Sequence, residues 1–398
     1  MSNHTINNKT PVLLLESSVN HLAIARQLGR IGVSVYGIDN DKFGLLFFSK
    51  YCKRVSNYFD PNKENEFVTA LIDFSKKHSY KPLLYSGEDH IEIIAKHRDI
   101  LAEYYHFTVP NLKTVNKIIN KKEYYYAAIE AGIPVPKTFF PDSKDDVIKN
   151  SQKIDYPCIL KPILSKSGAF MYLFRKKVFL AYSTEGLLHY YAKLKKHGFE
   201  PMIQEIIQGP DSNVYQYCSY INMQKETIAE FTYKKLRQYP PNFGICSLGV
   251  SEEIKELYGL GKNLLNKIGA MGISNTEFKK DERDGVFKLV ETNLRSFGTI
   301  ALSTRCGIDL ILASYLDLTD QKIPAFSKQR DKVKWVNMLT DLYSAMHYFL
   351  KGELTFKKWI FSLSGEKEFA VFSWDDIFPL IGYLLNTIII FIKKNKKF

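Results

Sequence analysis

Residues Asn275–Arg295 read NTEFKKDERDGVFKLVETNLR and hold the densest set of chemically useful side chains in the chain. Asp284-Gly285 is a two-residue hairpin signal between two apolar-bearing runs. Folding there sets Glu277 opposite Glu291, or one residue away. Side chains alternate on the return strand, so Glu291, Asn293 and Arg295 share a face. Two facing carboxylates repel, and a cation between them removes the repulsion. Mg²⁺ suits such a set: it takes oxygen ligands, few of them protein carboxylates, and leaves room for substrate phosphates. Arg295 then presents a planar fork to phosphate or acyl-phosphate oxygens. A solvated acidic hairpin at a sheet edge would carry the same Glu-x-Asn-x-Arg triplet, so the triplet alone decides nothing.

The elements that must position this ribbon are legible in order. Pro11–Glu16 is an apolar run of buried-strand length, Asn20–Ile31 has helical spacing, and Val33–Ile38 reads as a second strand ending on Asp39. This is a parallel α/β opening. It lacks GxGxxG, so dinucleotide binding is not indicated. A helix at Glu64–Lys77 and a strand at Pro82–Tyr85 follow. Ser86-Gly87-Glu88-Asp89 comes next, opening a helix that runs to about Tyr105. Ligands bind beyond the strand C-termini of open α/β sheets. Glu88 and Asp89 are therefore candidates for a substrate's positive group, or simply a helix cap. Asn116–Ala131 is a helix stopped by Gly132 and two prolines. Tyr156–Pro162 is an apolar strand ending in Lys161, before a Ser/Gly loop. Pro201–Ile207 is another strand. Val214–Met223 and Thr227–Lys235 read as a pair, Glu252–Gly269 as a helix, and Leu302–Leu318 as a further helical stretch.

At 398 residues, two or three domains are expected. The five cysteines are scattered, without CxxC or Cys/His clusters, which argues against zinc and a disulfide framework. The formal charge is +13. No basic stripe interleaved with aromatics runs through the middle of the chain, so nucleic acid is not an expected partner. The densest basic run, Lys393-Lys394-Asn395-Lys396-Lys397, follows an apolar segment, which favours a membrane surface. The polar start, MSNHTINNKT, does not read as a secretory signal.

Asn120-Lys121, AGIPVP, YPCILKP, QEIIQGPD, KKLRQYPPNFG and the ETNLR hairpin occur in that order. With them, Pro11 to Asp320 resembles the ATP-grasp superfamily, nearest its carboxylate–amine ligase and D-aspartate ligase-like branch. The resemblance implies a Rossmann-like pre-ATP-grasp domain at 1–112. An ATP-grasp domain at 113–325 would follow, with a smaller lid subdomain (113–200) and a Mg/ATP subdomain (201–325). Residues 326–398 would be a C-terminal helical extension. The fold class expected is thus α/β and α+β. Lys121 and Lys161 match lysines that contact ATP phosphates. Glu205, Ile206 and Ile207 match the hinge strand that reads adenine, and Asp211 the ribose acceptor. Glu277, Glu291 and Asn293 match the magnesium ligands. Arg295 matches the arginine that stabilises transferred phosphate, with Lys235 and Arg237 as further phosphate- or substrate-facing groups. The loop Ile163–Ala169 departs from the glycine-rich pattern: it offers one glycine, Gly168, with Ser167 among the side-chain donors that could compensate.

The implied reaction joins a carboxylate to an amine through an acyl-phosphate, using ATP and one or two Mg²⁺ ions, with Mn²⁺ as a substitute. Such chemistry needs positioning and charge neutralisation rather than a protein nucleophile. Two alternatives stand beside it: a nucleotide-binding scaffold at a membrane, and an ATP-grasp enzyme with carboxylation chemistry. The expected setting is cytoplasmic, peripheral at the inner face of the cytoplasmic membrane. Residues 377–392 would span roughly 24 Å as a helix, short of the about 30 Å hydrocarbon core. They read either as an interfacial helix or as one docked on the protein or on a second copy.

Overall fold

The computed structural model describes residues 6–55, 59–164 and 169–395, with side chains described to residue 388. Three sheets organise the described residues. The first is parallel, in the order β3-β2-β1-β4, from β1 (Val12–Leu15), β2 (Val35–Gly37), β3 (Lys53–Arg54) and β4 (Leu83–Ser86). A strand buried on both faces must be apolar throughout, and β1 is VLLL. Val12 and Leu14 pack into a core that includes Leu22, Tyr220, Phe231 and Leu310. Leu13 and Leu15 pack the other way, with Phe67, Leu71, Ile94 and Leu101.

The second sheet is antiparallel, β5-β8-β6-β7, from β5 (Thr138–Phe139), β6 (Cys158–Pro162), β7 (Phe179–Ala181) and β8 (Pro201–Glu205). It covers its own small core of Val147, Leu160, Leu187 and Leu194. The third has seven strands in the order β13-β12-β9-β10-β11-β14-β15. They are β9 (Val214–Ile221), β10 (Thr227–Tyr239), β11 (Ile245–Ser251), β12 (Gly272–Lys280), β13 (Phe287–Asn293), β14 (Lys334–Val336) and β15 (Lys367–Phe369).

Three expectations need amending. The helix expected over Asn116–Ala131 is two helices, Leu112–Ile119 and Lys121–Glu130. Asn120 stands between them, and its side chain accepts from the backbone N–H groups of Lys122 and Glu123. An Asn competes with helix continuation by capping the next turn, and here it puts Lys121 at a helix start. The stretch Leu302–Leu318 is likewise broken, into Ile300–Arg305 and Leu310–Leu318. Residues 326–398 are not helical alone, since β14 and β15 extend the large sheet. The terminal helix, Phe378–Asn395, lies against Leu45–Phe48. A Cβ on Gly382 would meet Phe48 at 2.3 Å, so only glycine permits this approach.

Candidate active site

The ribbon β12–β13 builds the site. Glu277 pairs with Glu291, and Asn275 with Asn293. The turn differs from the two-residue form expected at Asp284-Gly285. Asp281 N–H donates to Val286 O at 2.9 Å, closing a four-residue loop in which Gly285 takes φ +73°. The loop is longer because Asp281 is wholly buried and binds Arg283 (Nε, 2.9 Å) and Lys288 (Nζ, 2.7 Å). Carried on regularly, the pairing of Lys280 with Phe287 would set Glu277 against Val290. A register shift between Phe278 and Glu277 moves Glu291 into that place. Such bulges re-aim side chains at functional sites. Here Val290 O is taken by Tyr125 Oη at 3.0 Å.

Cations crowd the two carboxylates. Glu277 Oε2 receives Lys235 Nζ at 2.5 Å and Gln216 Nε2 at 2.6 Å. Burial alone would push the Lys235 amine down, but Glu277 outweighs it and holds the amine above its ordinary value. Glu291 is open to solvent yet sits among protein atoms in the cleft. Enclosure would raise its carboxyl; the charges of Lys177, Lys235, Lys161 and Arg295 bring it below the ordinary value. Arg295 Nη2 donates to Glu88 Oε2 at 2.6 Å, and Nη1 to Ser296 O at 3.1 Å. The loop after β4 thus reaches the end of the ribbon.

Lys121, Lys161, Glu291, Asn293, Arg295 and Glu88 line one cavity of about 280 Å³. Lys121 Nζ donates to Pro162 O at 3.2 Å, and its backbone N–H to Ile163 O at 3.0 Å. Burial, then the neighbouring Lys161, pushes its amine down to about 7. Lys161 Nζ lies 5.9 Å from the centre of the Tyr125 ring. Ser167 and Gly168 lie outside the described residues.

Other expected residues are engaged elsewhere. Arg237 does not join Lys235 at the ribbon. Register shifts on either side of Arg237 break the alternation, and its fork grips Asp341 through Nε and Nη2, each at 2.8 Å. Nη1 donates to Ser362 Oγ at 2.8 Å. Asp211 is buried and accepts from Gln238 Nε2 at 2.9 Å, from Asn242 N–H at 3.1 Å and from Tyr348 Oη. Its carboxylate is committed to these donors rather than to a free ribose position. Glu205 accepts from Lys137 N–H and Arg283 Nη2, both at 2.8 Å. Burial would raise its carboxyl, but these donors and Lys288 hold it below the ordinary value. Gln216, Lys288 and the Glu88–Arg295 pair carried no motif signal; cross-strand register and loop packing bring them in.

Residues 246–340 match a family described as ATP-grasp in the biosynthetic pathway with Ter operon. A D-aspartate ligase of Enterococcus faecium is 25% identical over 327 residues, 78% of this chain and 77% of that protein. A formate-dependent phosphoribosylglycinamide formyltransferase of Pasteurella multocida is 28% identical over 163 residues. That match spans 40% of this chain and 38% of the relative's length. Among solved structures, N5-carboxyaminoimidazole synthetase from Staphylococcus aureus complexed with ADP superposes with a TM-score of 0.62. It is 13% identical, over 82% of each chain. The biotin carboxylase domain of Hydrogenobacter thermophilus 2-oxoglutarate carboxylase gives 0.61 at 14% identity, over 81% of this chain and 73% of that one. These likenesses show a shared overall fold. In sequence the chain is thus similar to an ATP-grasp family over residues 246–340 and to a D-aspartate ligase over most of its length, and in fold to these solved structures.

Proposed function

We propose that this protein is an ATP- and Mg²⁺-dependent carboxylate–amine ligase that works through an acyl-phosphate. The observation that carries the reading is the facing pair Glu277 and Glu291, with Asn293 and Arg295 following on one strand and Lys121 and Lys161 entering the same cavity. The donor set fits a hard cation. Among the described residues no group of three His, Cys, Asp or Glu side chains could hold a metal, so Glu277, Glu291 and Asn293 would need phosphate oxygens to complete the shell. Mg²⁺ would neutralise charge on those oxygens, and Mn²⁺ would substitute.

Each residue then has a task. Lys121 and Lys161 hold phosphate oxygens. Arg295 faces the transferred phosphate and the acyl-phosphate, and Lys235 fixes Glu277. Ile206 and Ile207 offer backbone groups to the base. Glu88, just beyond β4, would meet a positive group of the substrate. The lid (113–200) and the Mg/ATP unit (201–325) close on nucleotide, and the Rossmann-like unit (1–112) presents the acceptor. The D-aspartate ligase relative supports an amino acid as the carboxylate, and a cell-envelope precursor as the amine is consistent with it. Carboxylation chemistry is a second reading, favoured by the biotin carboxylase likeness in fold alone.

The test is the double substitution Glu291→Gln with Asn293→Ala. ADP release with a panel of amino-acid and peptide pairs should disappear while the circular dichroism spectrum is retained. Full turnover in the double variant would refute the assignment. A wild-type protein that binds ATP yet releases no ADP with any pair would favour the scaffold alternative.

A further inference from the structure

Three helices of the C-terminal segment leave apolar faces uncovered. On Met338–Leu350, Leu342, Met346 and Leu350 recur every four residues on the outer side, and Leu350 is 89% exposed. On Phe356–Ser362, Phe356 and Phe361 are exposed, Phe361 by 77%. On Phe378–Asn395, Phe378, Ile381, Leu385 and Ile388 form a stripe at helical spacing. Trp374, just before it, is 88% exposed.

The inner sides of these helices are fixed to the protein and to one another. Asp341, Ser344 and Ala345 are buried on the first. Trp359 Nε1 on the second donates to Asp341 Oδ2 at 2.9 Å. Asn337, whose Oδ1 caps the first, donates through Nδ2 to Tyr383 Oη on the third at 3.2 Å. The three outer faces are therefore held in fixed relation.

Charge is sorted in the same way. Asp341, Asp375, Asp376 and Glu366 are paired with Arg237, Arg30, Arg26 and Arg305 of the protein body. Lys351, Lys357 and Lys358 are exposed beside the apolar side chains, and none forms an ion pair among the described residues. Glu353 and Glu368 are the carboxylates left over. Four further lysines follow Ile392 in the sequence. Among the described residues no helix is long and apolar enough to cross a membrane.

We propose that these three helices form one docking face for an anionic lipid bilayer. Apolar side chains would enter the boundary between headgroups and acyl chains, lysines would meet anionic headgroups, and Trp374 would lie at the interface. The face is broader than the single helix expected at 377–392, and the inference does not depend on the ligase reading.

The experiment floats the full-length protein with phosphatidylcholine vesicles, with and without phosphatidylglycerol, at low and high salt and without nucleotide. Flotation is expected with the anionic vesicles and should weaken with salt. It should fall roughly tenfold or more for Lys357→Glu with Lys358→Glu, and as far for Leu350→Ser with Phe361→Ser. ADP release should stay unchanged in both variants. Absence of flotation, or flotation indifferent to both variants, overturns the proposal. So does a concentration-dependent dimer that Leu350→Ser with Phe361→Ser dissolves, which would assign the face to a second copy. Loss of ADP release in the Glu291 variant with flotation intact separates the two readings.

Discussion

Lys235 Nζ lies 2.5 Å from Glu277 Oε2, and both side chains are largely buried. The lysine offsets the repulsion that Glu277 and Glu291 would otherwise exert across the ribbon. Lys235→Met strands the Glu277 carboxylate. We expect a loss of about 3–5 kcal/mol in urea unfolding, with ADP release abolished. MgADP should raise the melting temperature of this variant more than that of the wild type, because the cation then supplies the missing countercharge. Equal shifts would mean that the ion does not bind at Glu277.

Arg237 and Asp341 make a buried, two-pronged pair, each contact at 2.8 Å. Arg237→Met should cost about 3–5 kcal/mol, because Asp341 is left buried without its countercharge, with only the neutral donors Trp359 Nε1 and Ser247 Oγ. Adding Asp341→Leu should return much of that loss. Turnover per folded molecule should stay within a few-fold of wild type in the double variant. A selective collapse of turnover without a stability change would return Arg237 to the catalytic set.

Asp211 separates a ribose role from a structural one. Its acceptors are occupied by Gln238, Asn242 and Tyr348. Asp211→Asn turns an amide N–H₂ toward one of these donors, and about 1–3 kcal/mol of stability should go. The ratio of KM values for ATP and 2′-deoxy-ATP should not move. A changed ratio would show that Asp211 touches the sugar.

Lys121 gives a pH signature. Its amine is brought down to about 7 from an ordinary value of 10.5, first by burial and then by Lys161. Between those values the unfolded chain binds the proton and the native chain does not. Stability therefore rises with pH across that window and is flat below it. Relative to Lys121→Met, the wild type should gain stability between pH 7 and pH 10, read from denaturant midpoints. Triphosphate beside the amine would raise its pKa again, so ATP binding at pH 8 should take up a proton. Calorimetry in buffers of different ionisation enthalpy measures that uptake, which should vanish in Lys121→Met.

Much of the fold was legible because it is local. The all-apolar run of β1, the helix spacing of Val19–Arg30 and the β9–β10 pairing follow from patterns a few residues long. The facing of Glu277 and Glu291 followed to within one residue from the length of chain between them, and the alternation of Glu291 and Asn293 from the strand period. What the sequence could not supply were choices made by distant partners. Asp281 lengthened the turn by binding Lys288, and the bulge at Val290 restored the facing of the two glutamates. Arg237 left the face of Lys235 because Asp341, 104 positions away, offers a buried carboxylate. Asp211 was taken by Tyr348, 137 positions on. Residue type and spacing determined which groups could do phosphate chemistry. Only the packing of remote segments decided which of those charges remained at the cleft and which were spent holding the fold together, since a buried charge must find its countercharge wherever the chain provides one.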